Sequence, residues 1–148
     1  MHIEPINTVE KIAESWPLLE LHREELATYK HLMILKPDME KYQTLQKAGN
    51  LIGLGLFDGE KIVGYSIFIL TNALHYCDLK IGQNDIIYIH PDYRNTKWGI
   101  KLIHESEKAM REHDRKMIMW HGKENTNFAA LMPKMGYIVQ DIMFSKEL

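Results

Sequence analysis

The stretch from residue 87 to residue 103, Ile87-Tyr88-Ile89-His90-Pro91-Asp92-Tyr93-Arg94-Asn95-Thr96-Lys97-Trp98-Gly99-Ile100-Lys101-Leu102-Ile103, decides the fold. A strand over about Asp85 to His90 stops at Pro91, because proline cannot donate to a ladder or continue a central strand. From Gly99 the apolar period becomes helical. Leu102, Ile103, Ser106, Ala109, Met110 and His113 share one face, and Lys101, Glu105, Lys108 and Glu112 share the other. Lys116 to Trp120 returns to a buried strand. Strand, loop, helix and strand in this order form the crossover that joins parallel strands.

The same stretch carries a chemical reading. A helix opens after a polar loop with two cations, Arg94 and Lys97. Its first turn has unpaired N–H groups and a partial positive charge, so the corner suits an anion. The alternative is a solvated loop whose cations face water.

Upstream, Ile3 sits in a short strand, and Val9, Ile12, Ala13, Trp16, Leu19 and Leu26 predict a helix over about residues 8–29. Asn7 or Thr8 caps it, and Pro17 kinks it or opens a second segment. Met39, Tyr42 and Leu45 mark a second helix, with Gly49 as its stop. Leu51 to Phe57 and Ile62 to Leu70 are strands joined at Asp58-Gly59, a tight-turn dipeptide. Downstream, Phe128, Leu131, Met132 and Met135 predict a short helix ended by Gly136, and Tyr137 to Phe144 a final strand. The expected order is β-α-α-β-β-β-α-β-α-β in a single α/β domain, residues 1–148.

Composition narrows the function. With 148 residues, one core is feasible without disulfides or a structural metal. Eighteen basic against twenty acidic residues provide no broad positive field, so no nucleic-acid partner is expected. Cys77 is the single cysteine, and the start lacks the basic and apolar regions of a secretory signal. No apolar run approaches the ~18 residues of a membrane span, so a cytoplasmic protein without a membrane partner is expected.

Several chemistries lack their residues. His104-Glu105 would need a second histidine where Lys108 stands, and no Gly-Lys-Ser/Thr exists. Gly53 and Gly55 begin a dinucleotide-like pattern, but Asp58 takes the third glycine position and a hairpin follows, so close packing in a strand is expected. The histidines show no metal-like helical pair, so no metal is expected.

The segment from Ile87 resembles the acyl-CoA-binding motif of the GNAT superfamily of N-acyltransferases: an apolar strand, then Gln/Arg-x-x-Gly-x-Gly/Ala at a helix start. Arg94 matches the first position and Gly99 the last. Asn125, Phe128, Leu131, Lys134, Met135, Gly136 and Tyr137 resemble the family's later motif. The short chain and its ending resemble small phage-encoded members, for which the location would be host cytoplasm. Lys97 replaces the first glycine, and Met132 stands where many members carry a tyrosine acid.

The resemblance implies a mixed sheet splayed between the strands ending near His90 and Trp120. It implies acetyl-CoA as acyl donor, held by Ile87, Ile89, Arg94, Asn95, Thr96, Lys97, Trp98, Gly99, Ile100, Asn125 and Phe128. The reaction would move acetyl to a primary amine, on a small molecule or a protein lysine, by direct attack through a tetrahedral intermediate. The amine must first lose a proton, since its pKa lies near ~10.4. Asp85 is the preferred base and His121 the second candidate, while Tyr88 or Tyr137 would replace the missing acid. Glu24, Glu25, Tyr29, His31 and Tyr76 sit near segments that often line the acceptor side. Apolar final strands leave a homodimer open. The competing reading is a non-catalytic module that keeps the fold for binding.

Overall fold

At Asp58-Gly59 the chain reverses as its residues dictate: Gly59 has φ of 60°, Asp58 faces Lys61, and two strands of apolar and β-branched residues run back from the turn. The computed structural model describes residues 1–148. Its five strands are β1 (His2–Pro5), β2 (Leu51–Asp58), β3 (Lys61–Ala73), β4 (Tyr76–Ile89) and β5 (Met117–Met119), adjacent in that order in one sheet. The first four pair antiparallel, and β5 lies parallel to β4.

Side-chain caps start the helices. The Asn7 carboxamide accepts from Glu10 N–H at α1 (Thr8–Glu14), and Asp38 accepts from Lys41 N–H at α3 (Met39–Lys47). Between them α2 (Trp16–Leu26) begins after a break at Ser15, with Pro17 in its first turn, where the missing N–H costs no hydrogen bond. Thr96 caps α4 (Lys97–Glu112), and Thr126 caps α5 (Asn127–Leu131), whose continuation as a 3-10 turn ends at Gly136 with φ of 88°.

Alternation along the strands creates two cores. Ile12, Leu18 and Leu19 of α1 and α2 pack with Leu51, Tyr65, Ile67 and Tyr88 on one face. On the other, Leu102, Ala109 and Met110 of α4 pack with Leu54, Phe68 and Leu70. The architecture is a mixed α/β fold, as expected, and no helix is long and apolar enough to cross a membrane.

Two expectations are corrected. β4 begins at Tyr76, not Asp85, because β3 extends to Ala73 and the two strands pair from Gly64–Ile89 out to Ala73–Tyr76. Cross-strand bonding holds Gln83 and Asn84 inside the strand despite their polarity. The final strand at Tyr137–Phe144 does not form, and Ile138, Val139, Ile142, Met143 and Phe144 are exposed. β5 is only three residues long, and the left-handed turn at Gly136 directs the chain elsewhere. The end of the chain instead meets the loop after α2. There Tyr29 Oη donates to Ser145 O at 3.3 Å, and His31 Nε2 lies 3.0 Å from the Glu147 carboxylate. The order is therefore β-α-α-α-β-β-β-α-β-α.

Close packing does explain Gly53 and Gly55. A Cβ on Gly53 would lie 2.3 Å from Thr8 Oγ1, and one on Gly55 2.5 Å from the Phe57 ring. Gly53→Ala must therefore push α1 off β2. A loss of about 1–3 kcal/mol is expected, read by chemical denaturation, whereas Leu74→Ser at the exposed tip of the β3–β4 hairpin should change stability by less than about 0.5 kcal/mol.

Candidate active site

β4 and β5 share only three ladder positions, Ile81–Met117, Gly82–Ile118 and Gln83–Met119. Beyond them β4 continues from Asn84 to Ile89 with no strand on that side, and the sheet opens into a wedge. His90 N–H bonds Val63 O toward β3. Because backbone groups alternate along a strand, those of Ile87 and Ile89 face the open side.

A bulge sits at the apex. Asn84 faces Phe68 and Ile86 faces Ile67, leaving Asp85 without a cross-strand partner. The Asn84 carboxamide clamps this bulge, donating to Ile67 O and Ile86 O, each at 3.1 Å. Asp85 accepts a hydrogen bond from Tyr42 Oη of α3. Burial, followed by this bond, pushes the Tyr42 hydroxyl above the ordinary tyrosine range. Two buried polar atoms beside the end of the ladder lack a protein partner, Asn84 Oδ1 and Trp120 Nε1.

The wedge leads to the start of α4. His90 Nδ1 accepts from Asp92 N–H at 3.3 Å, and Tyr93 Oη donates to Asp58 Oδ2 at 3.1 Å, pinning the loop to the β2–β3 turn. Asn95 takes a left-handed φ of 57°. Thr96 Oγ1 then caps the helix by accepting from Trp98 N–H, which leaves the N–H groups of Lys97 and Gly99 in the first turn outside that cap. Lys97 is exposed and has no ion-pair partner, while Lys101 Nζ lies 4.5 Å from the Trp98 ring centroid. A Cβ at Gly99 would touch only Ile89 Cδ1, at an ordinary 3.7 Å. Internal packing therefore does not require this glycine.

A polar network covers the α2 side of β4. Arg94 Nη1 and Nη2 donate to Glu25 Oε1 and Oε2 at 2.6 and 2.7 Å, and Arg94 Nε donates to Ile89 O at 2.8 Å. Tyr88 Oη also donates to Glu25 Oε2, at 2.8 Å. The Tyr88 ring stacks on His22 with centroids 4.7 Å apart and has the Arg94 guanidinium 5.0 Å from its centroid. His22 Nδ1 meets Tyr65 Oη at 2.8 Å. Arg94 holds the Glu25 carboxyl below the usual range against the opposing effect of burial. Burial, then the Glu25 bond, pushes Tyr88 up to about 12.

The wedge and its entrance thus bring together Asp85, Ile87, Ile89, Tyr88 and the loop Arg94–Ile100. Arg94 has Glu25, not open solvent, at both terminal nitrogens. Trp120 packs edge-on against Phe68, at 4.8 Å, and Phe128, at 5.7 Å. His121 is exposed after β5, and Asn125 is exposed with φ of 61°. Tyr137 donates to Glu107 of α4, so that hydroxyl is committed away from Asp85. Glu24 pairs with Lys30 in solvent. Tyr76 lies at the far end of β4 from Ile89, too distant to line the wedge. The sequence pattern did not single out His22, Tyr42 or Tyr65, whose contacts join residues 43 apart along the chain.

A family model described as the acetyltransferase (GNAT) family matches residues 12–137. No curated protein matches by sequence. Among solved structures, a ribosomal-protein-alanine N-acetyltransferase from Brucella melitensis biovar Abortus 2308 aligns with a TM-score of 0.72 and 18% identity, covering 100% of both chains. A tetramutant of the BH1408 protein from Bacillus halodurans aligns with 0.78 and 15%, again over 100% of both chains. An aminoglycoside acetyltransferase from an uncultured soil metagenomic sample, in complex with trehalose, aligns with 0.74 and 16% over 99% of this chain and 95% of that one. At these identities the likeness establishes the fold.

The network makes stability pH-dependent. Burial, assisted by Arg94 and opposed by Glu25, lowers His22 from 6.5 to about 4. Between those values the unfolded chain binds the proton and the folded chain does not, so stability falls as pH drops from 6.5 toward 4 and levels off below. Removal of this effect in His22→Gln should flatten the denaturation free energy across that window by on the order of 2–3 kcal/mol.

Proposed function

The chain belongs to the GNAT acetyltransferase family and is an acyltransferase, and from that premise we propose that it moves an acetyl group from acetyl-CoA to a primary amine, on a small molecule or a protein lysine. The observation that carries this reading is the early end of the β4–β5 ladder beside the first turn of α4, where the Thr96 cap takes Trp98 N–H and not those of Lys97 and Gly99. An extended donor with amide groups and a pyrophosphate matches both: exposed strand edge for the amides, helix N–H groups for the anion. Gly99 supports the fit, because it leaves room for an external group to approach the backbone.

When bound, acetyl-CoA would supply the thioester that the amine attacks. Within the chain, the N–H groups of Lys97 and Gly99, with the Lys97 ammonium, hold the anionic end of the donor. Ile87 and Ile89 offer backbone groups along the wedge, while Trp120 and Phe128 close its α4 side. Asp85 takes the proton from the incoming ammonium, directly or through water, and Tyr42 orients its carboxylate. The Tyr88 hydroxyl is committed to Glu25, which favours a role in holding that carboxylate over acid catalysis.

Turnover of acetyl-CoA with a panel of polyamines, aminoglycosides, amino acids and lysine peptides tests the reading. No thioester consumption would move the chain to the non-catalytic alternative. At a hundredfold excess over Kd, acetyl-CoA should stabilise the fold by about 2.7 kcal/mol, visible as a rise in Tm of about 5–10 °C. Asp85→Asn should lower kcat/KM about 100-fold at neutral pH, with recovery as pH approaches the amine's own pKa. Gly99→Ala should raise the intrinsic melting temperature, since glycine costs a helix about 1 kcal/mol, yet weaken acetyl-CoA binding. Equal affinity in that variant would remove the close-approach argument.

A further inference from the structure

We infer that Arg94 is a positioning residue that acts through Glu25, fixing α2 and the loop after it against the end of β4, and is not a phosphate ligand. The inference rests on the acetyl-CoA reading and concerns how its acceptor side is built. A guanidinium has five N–H donors in a rigid fork. Three are already engaged, one on Ile89 O and one on each Glu25 oxygen. Turning this fork toward an anion at the start of α4 would break a bidentate, charge-assisted pair, the strongest type of side-chain hydrogen bonding. It would also leave the Ile89 carbonyl without its partner on the open edge.

Around this pair the contacts oppose rotation. Tyr88 Oη holds Glu25 from below, and the Tyr88 ring carries His22 of α2 as well as the guanidinium. Thus α2 is tied to the last turn of β4 by charge, by a hydroxyl and by stacking. The loop leaving α2 makes the next contacts. Thr28 accepts from Lys123 Nζ in the segment after β5, and Tyr29 and His31 meet Ser145 and Glu147. These contacts join the loop after α2 to the segment that follows β5 and to the end of the chain. A shift of α2 would therefore move the acceptor wall and leave the α4 N-terminus in place. Anion binding falls to the main-chain N–H groups and to Lys97, which has no competing carboxylate.

The experiment measures acetyl-CoA Kd by calorimetry, and KM for the best amine of the panel, in wild type, Arg94→Ala, Arg94→Lys, Glu25→Gln and Lys97→Ala. Arg94→Ala and Glu25→Gln are expected to leave Kd within threefold and to raise acceptor KM at least tenfold. Arg94→Lys, which lacks the fork, should behave like Arg94→Ala, and Lys97→Ala should weaken Kd fivefold or more. A tenfold loss of acetyl-CoA affinity in Arg94→Ala that Glu25→Gln does not share would overturn the inference. So would an unchanged acceptor KM in both. If Arg94→Ala does not fold, Glu25→Gln and Arg94→Lys decide by the same criteria. If no amine on the panel reacts, the catalytic reading and this inference are overturned together. Wild type that binds no acetyl-CoA would overturn the functional reading and this inference together, whereas intact wild-type binding with an Arg94-specific loss sinks only the latter.

Discussion

Backbone hydrogen bonding between β4 and β5 stops at Gln83–Met119, and most of the candidate site follows from that limit. A buried strand edge without partners costs free energy for every N–H and C=O it leaves unpaired. The structure meets this cost in part where Arg94 brings its Nε to the carbonyl of Ile89, while on the β3 side the Asn84 carboxamide satisfies two carbonyls at the bulge. What remains unpaired along the opening is the surface that an extended amide-bearing molecule can complete. The shape of the candidate site is a property of main chain before it is one of side chains.

The two helical layers divide the work. On one face α4 brings its first turn to the end of the wedge, and the residues behind it, Leu102 and Ile103, are nearly inaccessible to solvent. That burial fixes the position of the helix start. On the other face α2 and α3 deliver Glu25, His22 and Tyr42 to β4. The two layers meet β4 at a bulge whose extra residue is Asp85. Glu25 and Arg94 cross between these layers, which is why their pair bears on the relative placement of both.

Legibility in the sequence followed the range of the interaction. The Asp58-Gly59 hairpin, the helix stops at Gly49 and Gly136, and the strand-loop-helix from Ile87 to Ile103 could be read because turn chemistry and periodicity act within a few residues. The beginning of β4 could not. Asp78, Lys80, Gln83 and Asn84 interrupt its apolar pattern, and Lys80, Gln83 and Asn84 are held extended by pairing with β3, Gln83 with β5 as well. The reverse failure occurred at Tyr137–Phe144, where an apolar run predicts a strand but β5, the edge strand nearest in sequence, offers only three residues to pair with. Cross-chain networks were the least legible. Arg94 matched a motif as a cation, yet its partner Glu25 is 69 residues away, and no local pattern announces that pairing.

The partnerless atoms at the apex bear on why the fold tolerates its own opening. An unsatisfied buried donor or acceptor costs about 1–3 kcal/mol, and Asn84 Oδ1 and Trp120 Nε1 belong to the residues next after the last ladder position, Asn84 in β4 and Trp120 just past β5. Asn84 could be relieved by a residue without a carbonyl, but its amide hydrogens are what clamp the bulge and hold Asp85 outside the ladder. Trp120 could be replaced by a plain aromatic, but its indole fills the space between Phe68 and Phe128 that closes the α4 side. Each penalty is attached to a side chain that shapes the wedge. Both atoms are closed off from solvent, so the penalty stays with the fold and is offset by the shape that the two side chains give the place where the strands part.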